Sequence, residues 1–258
     1  MRGKRYVALG SSMAAGPGIK PSAPGAPWRS GRSARNYPHL VAARLGLDLV
    51  DVTYSGATTA HVLSDKQNGV PPQIDALDGS EVLVTVTIGG NDAGYVPSLM
   101  AAALPHLARS LPMLGPRLRE LLDPDARAAA LTDVAGALVT VGHEIRERAP
   151  QARVLFVDYL TMLPPEGVAA PPLSEADAAL GRHVAATLER LTGEAAGKTR
   201  CGWVRAGRAS VAHHAWSAQP WTTRPGLPWP GRPAPLHPNA AGMRAVADMV
   251  VAQTGPDT

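Results

Sequence analysis

A serine, an asparagine and a histidine stand at element boundaries far apart in this chain, in settings that expose polar groups. The first setting is Val7-Ala8-Leu9-Gly10-Ser11-Ser12-Met13-Ala14-Ala15-Gly16, a short apolar run followed by small, turn-permissive residues. At the carboxyl end of a strand in an open α/β sheet such a turn faces the ligand crevice, which makes Ser12 a candidate nucleophile. The second is Thr87-Ile88-Gly89-Gly90-Asn91-Asp92, again after a β-branched run, and the third is Leu236-His237-Pro238-Asn239, ahead of the last helical pattern. Between them lies Tyr54-Ser55-Gly56-Ala57-Thr58-Thr59.

Acyl transfer to water needs an activated nucleophile, a base that later serves as acid, and donors aimed at the oxyanion. Ser12 could attack a carbonyl carbon, and His237 could take its proton and return it to the leaving alcohol. The backbone N–H of Ser12, the backbone N–H of Gly56 and the side-chain amide of Asn91 could hold the developing negative charge. Each residue also has an ordinary structural alternative. Ser12 could cap a helix, Gly56 could serve a turn, Asn91 could stabilise one, and His237 could be an N-cap residue. Asp92 is expected to serve turn geometry.

The elements that must position these groups alternate. Strand patterns end at Gly10, run over Leu47 to Tyr54, Val82 to Ile88 and Arg153 to Tyr159, and recur weakly at Trp203 to Ala206, with a possible extension to Val211. Val82 to Ile88 is nearly continuous in β-branched residues, as expected of a strand covered on both faces. Helical patterns fall at Asn36 to Leu45, at short turns over Thr59 to Leu63 and Ile74 to Leu77, and at Ala128 to Arg148. Another follows the capping-box-like Ser174-Glu175-Ala176-Asp177. The last helix is expected to open at His237-Pro238, with Pro at its first position. From Tyr95 to Leu122 an apolar helical pattern is interrupted at Pro105, Pro112 and Pro116. Strand alternating with helix predicts one domain over residues 1–258, an α/β fold with a parallel sheet in a three-layer α/β/α sandwich.

The four blocks, in this order, resemble the SGNH (GDSL-type) hydrolase family from about Arg5 to Val251. The resemblance implies a flavodoxin-like sheet of about five strands in the order 2-1-3-4-5. It also implies a serine esterase without cofactor, with Ser12 and His237 catalytic and Ser12, Gly56 and Asn91 forming the oxyanion hole. The chain departs from the family pattern twice. Ala234 stands three residues before the histidine, where the family has Asp, and Ser11 stands where the name motif has Asp. In some members a main-chain carbonyl replaces the acid, so a Ser12–His237 dyad oriented by the carbonyl of Ala234 or a neighbour is expected. A distant carboxylate is the alternative.

Composition narrows the field. One cysteine, Cys201, allows no intramolecular disulfide. Met1-Arg2-Gly3-Lys4-Arg5 leads straight into a strand pattern without signal-peptide character, which reads as a cytoplasmic location. No run approaches membrane-spanning length, so no integral membrane segment is expected. The net charge of +4 invites a nucleic-acid partner, but the basic residues are scattered and lack interleaved aromatics, which reads as solvated surface. The expected partner is a small-molecule acyl ester. Leu99 to Leu122 and the Trp-rich loop before His237 are candidate linings for its acyl chain. A thioesterase, a lysophospholipase or a deacetylase would use the same chemistry. A non-catalytic binding protein on the same fold is the competing class, followed by a nucleic-acid or flavin-binding α/β protein.

Overall fold

A computed structural model describes residues 3–105 and 115–255. Five strands form one sheet: β1 (Arg5–Gly10), β2 (Asp48–Asp51), β3 (Glu81–Thr87), β4 (Arg153–Val157) and β5 (Gly202–Val204). All neighbours are parallel and the order is β2-β1-β3-β4-β5. This is the expected three-layer α/β/α sandwich with a flavodoxin-like sheet.

Side chains alternate across a strand, so each central strand feeds two cores. Tyr6 and Ala8 pack with Tyr37 and Val41 of the helix Tyr37–Leu45, and with Met243, Val246 and Val250 of the final helix (Ala240–Gln253). Val7 and Leu9 face the other way, toward Val134, Leu138 and Val141 of the long helix Pro124–Arg148 and Val184 and Leu188 of the helix Glu175–Lys198. The register sets Gly10, the last residue of β1, opposite Thr87, the last of β3. The segments carrying Ser12 and Asn91 therefore leave the sheet side by side at its carboxyl end.

Several boundaries differ from expectation for local reasons. The long helix begins at Pro124 rather than Ala128, because Asp123 caps it by accepting from the Asp125 N–H and Pro124 suits the first turn. The final helix begins at Ala240, not at His237-Pro238. Asn239 is the cap, its Oδ1 accepting from the N–H groups of Ala241 and Gly242 at 2.9 and 3.0 Å, while Pro238 bridges to Thr222. His237 thus sits on a loop, free of helical geometry. Strand pairing in β2 stops at Asp51, yet the chain continues alongside β1, with Val52 N–H donating to Ala8 O and Tyr54 N–H to Gly10 O. The interrupted helical stretch forms helices at Tyr95–Ala102 and Gly115–Leu122, with Pro116 in the first turn of the second. Pro112 lies outside the described residues. Val211 belongs to a 3₁₀ turn (Val211–His213) and does not extend β5.

Candidate active site

The chain leaves β1 through a turn that only glycine fits. Gly10 has φ 143°, and a Cβ there would lie 2.6 Å from the Thr87 carbonyl oxygen. Gln73, 4% exposed, clamps this residue from both sides. Its Oε1 accepts from the Gly10 N–H at 2.7 Å and its Nε2 donates to the Gly10 carbonyl at 3.0 Å. Ser11 N–H then donates to Thr87 O at 2.9 Å, and Ser12 opens a one-turn helix, Ser12–Ala15. The first N–H groups of a helix have no partner within it. Among the described residues that of Ser12 has none elsewhere, so it is available beside the Ser12 hydroxyl.

The Tyr54–Thr59 and Thr87–Asp92 blocks are tied to each other. Ala57 N–H donates to Tyr54 O at 3.0 Å, closing a turn in which Gly56 has φ 80° and an N–H with no acceptor among the described residues. Asn91 Nδ2 donates to the Ala57 carbonyl at 2.7 Å. One hydrogen of that amide is thereby committed, and the other is fixed in direction. Asp92 does more than shape its own turn: Oδ1 accepts from Thr59 N–H at 3.0 Å and from Thr59 Oγ1 at 2.6 Å. Gly90 is required by contact, since a Cβ would lie 2.7 Å from the Tyr159 ring, and its N–H donates to Tyr159 Oη at 2.8 Å. Burial pushes the Tyr159 phenol up to about 12, which keeps it neutral.

His237 comes from the far end of the chain. Its Nε2 lies 2.8 Å from Ser12 Oγ, and its Nδ1 lies 2.7 Å from the Pro235 carbonyl oxygen. A carbonyl can only accept, so Nδ1 carries the hydrogen and Nε2 presents its lone pair to the serine hydroxyl. The carbonyl that faces Nδ1 is that of Pro235, the neighbour of Ala234. The Ala234 carbonyl is already taken by Thr223 Oγ1 at 2.6 Å. Leu236, fully buried with φ 58°, turns the chain so that the carbonyl of residue 235 comes back to the ring of residue 237. Thr223 holds the same segment through its N–H to His237 O at 3.0 Å.

Burial lowers the His237 pKa below 6.5, and the Pro235 hydrogen bond opposes that shift in part. A lowered pKa keeps the ring neutral, and so basic, further into acid. If His237 is the base, kcat/KM on a soluble ester therefore falls on acidification with a midpoint below 6.5, measured as a pH profile across acid and neutral buffers.

A cavity of about 200 Å³ opens behind Tyr159, lined by Tyr95, Leu160, Met162, Leu163 and Leu188 among others. None of the described residues of Leu99 to Leu122, and none of the Trp-rich loop before His237, lines this cavity; Tyr95 precedes that stretch. The wall is built instead by the segment after β4 and by the helix Glu175–Lys198. Residues 106–114 of that stretch lie outside the described residues.

The profile of the GDSL-like Lipase/Acylhydrolase family matches residues 8–245. The chain belongs to this family. Lipase 2 of Streptomyces coelicolor is 33% identical over 98% of this chain and 86% of its own length. Among solved structures, phospholipase A1 from Streptomyces albidoflavus NA297 superposes with a TM-score of 0.79 at 26% identity, covering 98% of this chain and all of the other. The extracellular lipase from Streptomyces rimosus gives a TM-score of 0.79 at 25% identity with the same coverage. This GDSL-type protein is a carboxylic-ester hydrolase. The extracellular Streptomyces rimosus lipase overturns the expectation of a cytoplasmic location, because the short N-terminal pattern on which that expectation rested carries less information than a fold shared over the whole length. Among the described residues no helix is long and apolar enough to cross a membrane.

Four supports of this site carry no signal in the sequence. Gln73, Tyr159 and Thr223 act through hydrogen bonds to residues distant in sequence, and Pro235 through its carbonyl, which every residue possesses.

Proposed function

We propose that this GDSL-type hydrolase works through a Ser12–His237 dyad with an oxyanion hole made by the N–H groups of Ser12 and Gly56 and the Asn91 amide. The observation that carries this reading is the 2.8 Å approach of His237 Nε2 to Ser12 Oγ on a ring whose Nδ1 hydrogen is committed to the Pro235 carbonyl. Nε2 takes the hydroxyl proton as Oγ bonds to the acyl carbon, and the carbonyl electrons move onto the oxygen faced by the three donors. When those electrons return, the bond to the alkoxide leaving group breaks and Nε2 hands it the proton. Water, deprotonated by the same nitrogen, then releases the acid from Ser12.

Ala234 takes the position where most of the family places its acid, and the Pro235 carbonyl supplies the orientation that the carboxylate would give. The substrate class is an acyl ester with an apolar chain, in keeping with the lipase and phospholipase relatives. The extracellular relative supports action outside the cell.

Labelling with a fluorophosphonate probe tests the assignment. The adduct is expected on Ser12 by mass spectrometry and absent from S12A; folded protein that does not label, or labels elsewhere, would refute it. A second expected result concerns the vacant acid position. A234D leaves kcat within a few-fold of the parent on nitrophenyl esters, because Nδ1 already has its acceptor; a gain of ten-fold or more would mean that the carbonyl is a poor substitute.

A further inference from the structure

Two loops that enclose the proposed site are both apolar at their tips and basic along their length. Residues 16–35 and 221–236 contain Lys20, Arg29, Arg32, Arg35, Arg224 and Arg232 and no Asp or Glu, so the entire +4 excess of the chain resides on them. Arg32 is held inward by the Thr53 carbonyl and Asp51, while the other five are exposed. The same loops carry the largest exposed apolar side chains among the described residues. Trp28 is 74% exposed, Leu227 89% and Trp229 68%.

The fold joins these loops to each other and to the site. Ala234 N–H donates to Pro17 O at 2.9 Å, and the backbones approach so closely that a Cβ on Gly18 would lie 2.0 Å from Arg232 O. Trp28 accepts through its carbonyl from the Tyr54 hydroxyl, and Ser30 O accepts from Ser55 N–H at 2.8 Å, which fixes that tip to the turn carrying Gly56. Leu227 and Trp229 lie between Thr223 and His237, two residues bonded to each other. Arg29, with φ 62°, stacks its guanidinium 4.8 Å from the centre of the Trp28 ring, presenting cation and aromatic together.

We infer that these two loops form a docking surface for an anionic phospholipid layer, with Trp28, Leu227 and Trp229 entering the headgroup region and Lys20, Arg29, Arg35, Arg224 and Arg232 facing lipid phosphates. Three large apolar side chains exposed to water on adjoining loops mark an interaction site. Tryptophan suits the boundary between headgroups and acyl chains, and a wholly basic rim selects an anionic surface over a neutral one. The inference rests on the Ser12–His237 reading for its purpose, since it brings esters of the layer to the site. The binding itself requires no catalysis.

The experiment uses S12A, so that binding is read without hydrolysis. It is mixed with vesicles of phosphatidylglycerol and phosphatidylcholine, or of phosphatidylcholine alone, and the bound fraction is measured by co-sedimentation. Binding to the anionic vesicles is expected to be at least ten-fold tighter than to the neutral ones and to weaken with salt. Adding W28S, L227S and W229S is expected to reduce it at least ten-fold with the melting temperature unchanged. R29E with R232E, which keeps the apolar tips, is expected to abolish the preference for anionic lipid. Equal binding to both vesicles, no binding to either, or retention by the triple variant would overturn the inference. So would concentration-dependent dimers dispersed by the three serine substitutions, which would assign the patch to a second copy of this chain. Fluorophosphonate labelling of the parent protein is read separately, so failure of the catalytic assignment and failure of the lipid surface are distinguishable.

Discussion

S12A is expected to lower kcat on a soluble nitrophenyl ester by about 10⁵ to 10⁶-fold, H237A by nearly as much, and the double variant by no more than either alone. The physical reason is that neither group does anything useful without the other. In the proposed dyad the serine hydroxyl is a weak nucleophile at neutral pH until Nε2, 2.8 Å away, removes its proton, and without Ser12 no acyl-enzyme forms for the imidazole to resolve. The cycle is decisive because independent contributions would multiply, giving a double variant far below the singles. The oxyanion donors and substrate binding would remain in all three variants and leave a residual rate of about 10³ over water. Progress curves at saturating substrate, with intact fold shown by circular dichroism, provide the measurement. A double variant that is slower than both singles by a further factor of a hundred would disprove the coupled dyad.

N91A is expected to lower kcat by about 10² to 10³-fold, equivalent to about 3 to 4 kcal/mol of barrier, with KM changed by less than about three-fold. An amide that meets the oxygen only when it becomes an oxyanion stabilises the transition state and not the bound ester, which separates kcat from KM. The Asn91 amide is well suited to this. Its bond to the Ala57 carbonyl at 2.7 Å fixes the side chain before substrate arrives, so no reorganisation is needed during reaction. N91D sharpens the test. It keeps the size, yet its carboxylate cannot donate, and it would face the Ala57 carbonyl and the growing oxyanion with like charge. A loss at least as large as that of N91A is expected. A change confined to KM in either variant would assign Asn91 to substrate binding instead.

Much of this molecule is legible in the linear chain because the relevant forces are local or periodic. The continuous apolar run of Val82 to Ile88 specifies a strand buried on both faces, and the stripe of Leu131, Val134, Leu138, Val141 and Ile145 specifies a long helix, as found. Helix starts were less legible. The long helix starts at Pro124 under an Asp123 cap rather than at Ala128, and the last starts at Ala240 under Asn239 rather than at His237-Pro238. The basic residues of the two loops look scattered in sequence, since residues 16–35 and 221–236 are some two hundred positions apart. The two loops meet where Ala234 N–H donates to Pro17 O.

The sequence by itself determined the residue types of the proposed site, their order, and the sheet that gathers strand ends at one edge, because hydrophobic period and turn chemistry act over a few residues. Only the tertiary structure decided how the histidine is oriented. Ala234 is visible in the chain, but the group that meets Nδ1 is a main-chain carbonyl, and backbone groups are the same at every position. The Pro235 oxygen reaches Nδ1 because buried Leu236 is forced into a left-handed conformation and Thr223 occupies the competing carbonyl. Such geometry comes from packing between segments distant in sequence, which no local pattern encodes.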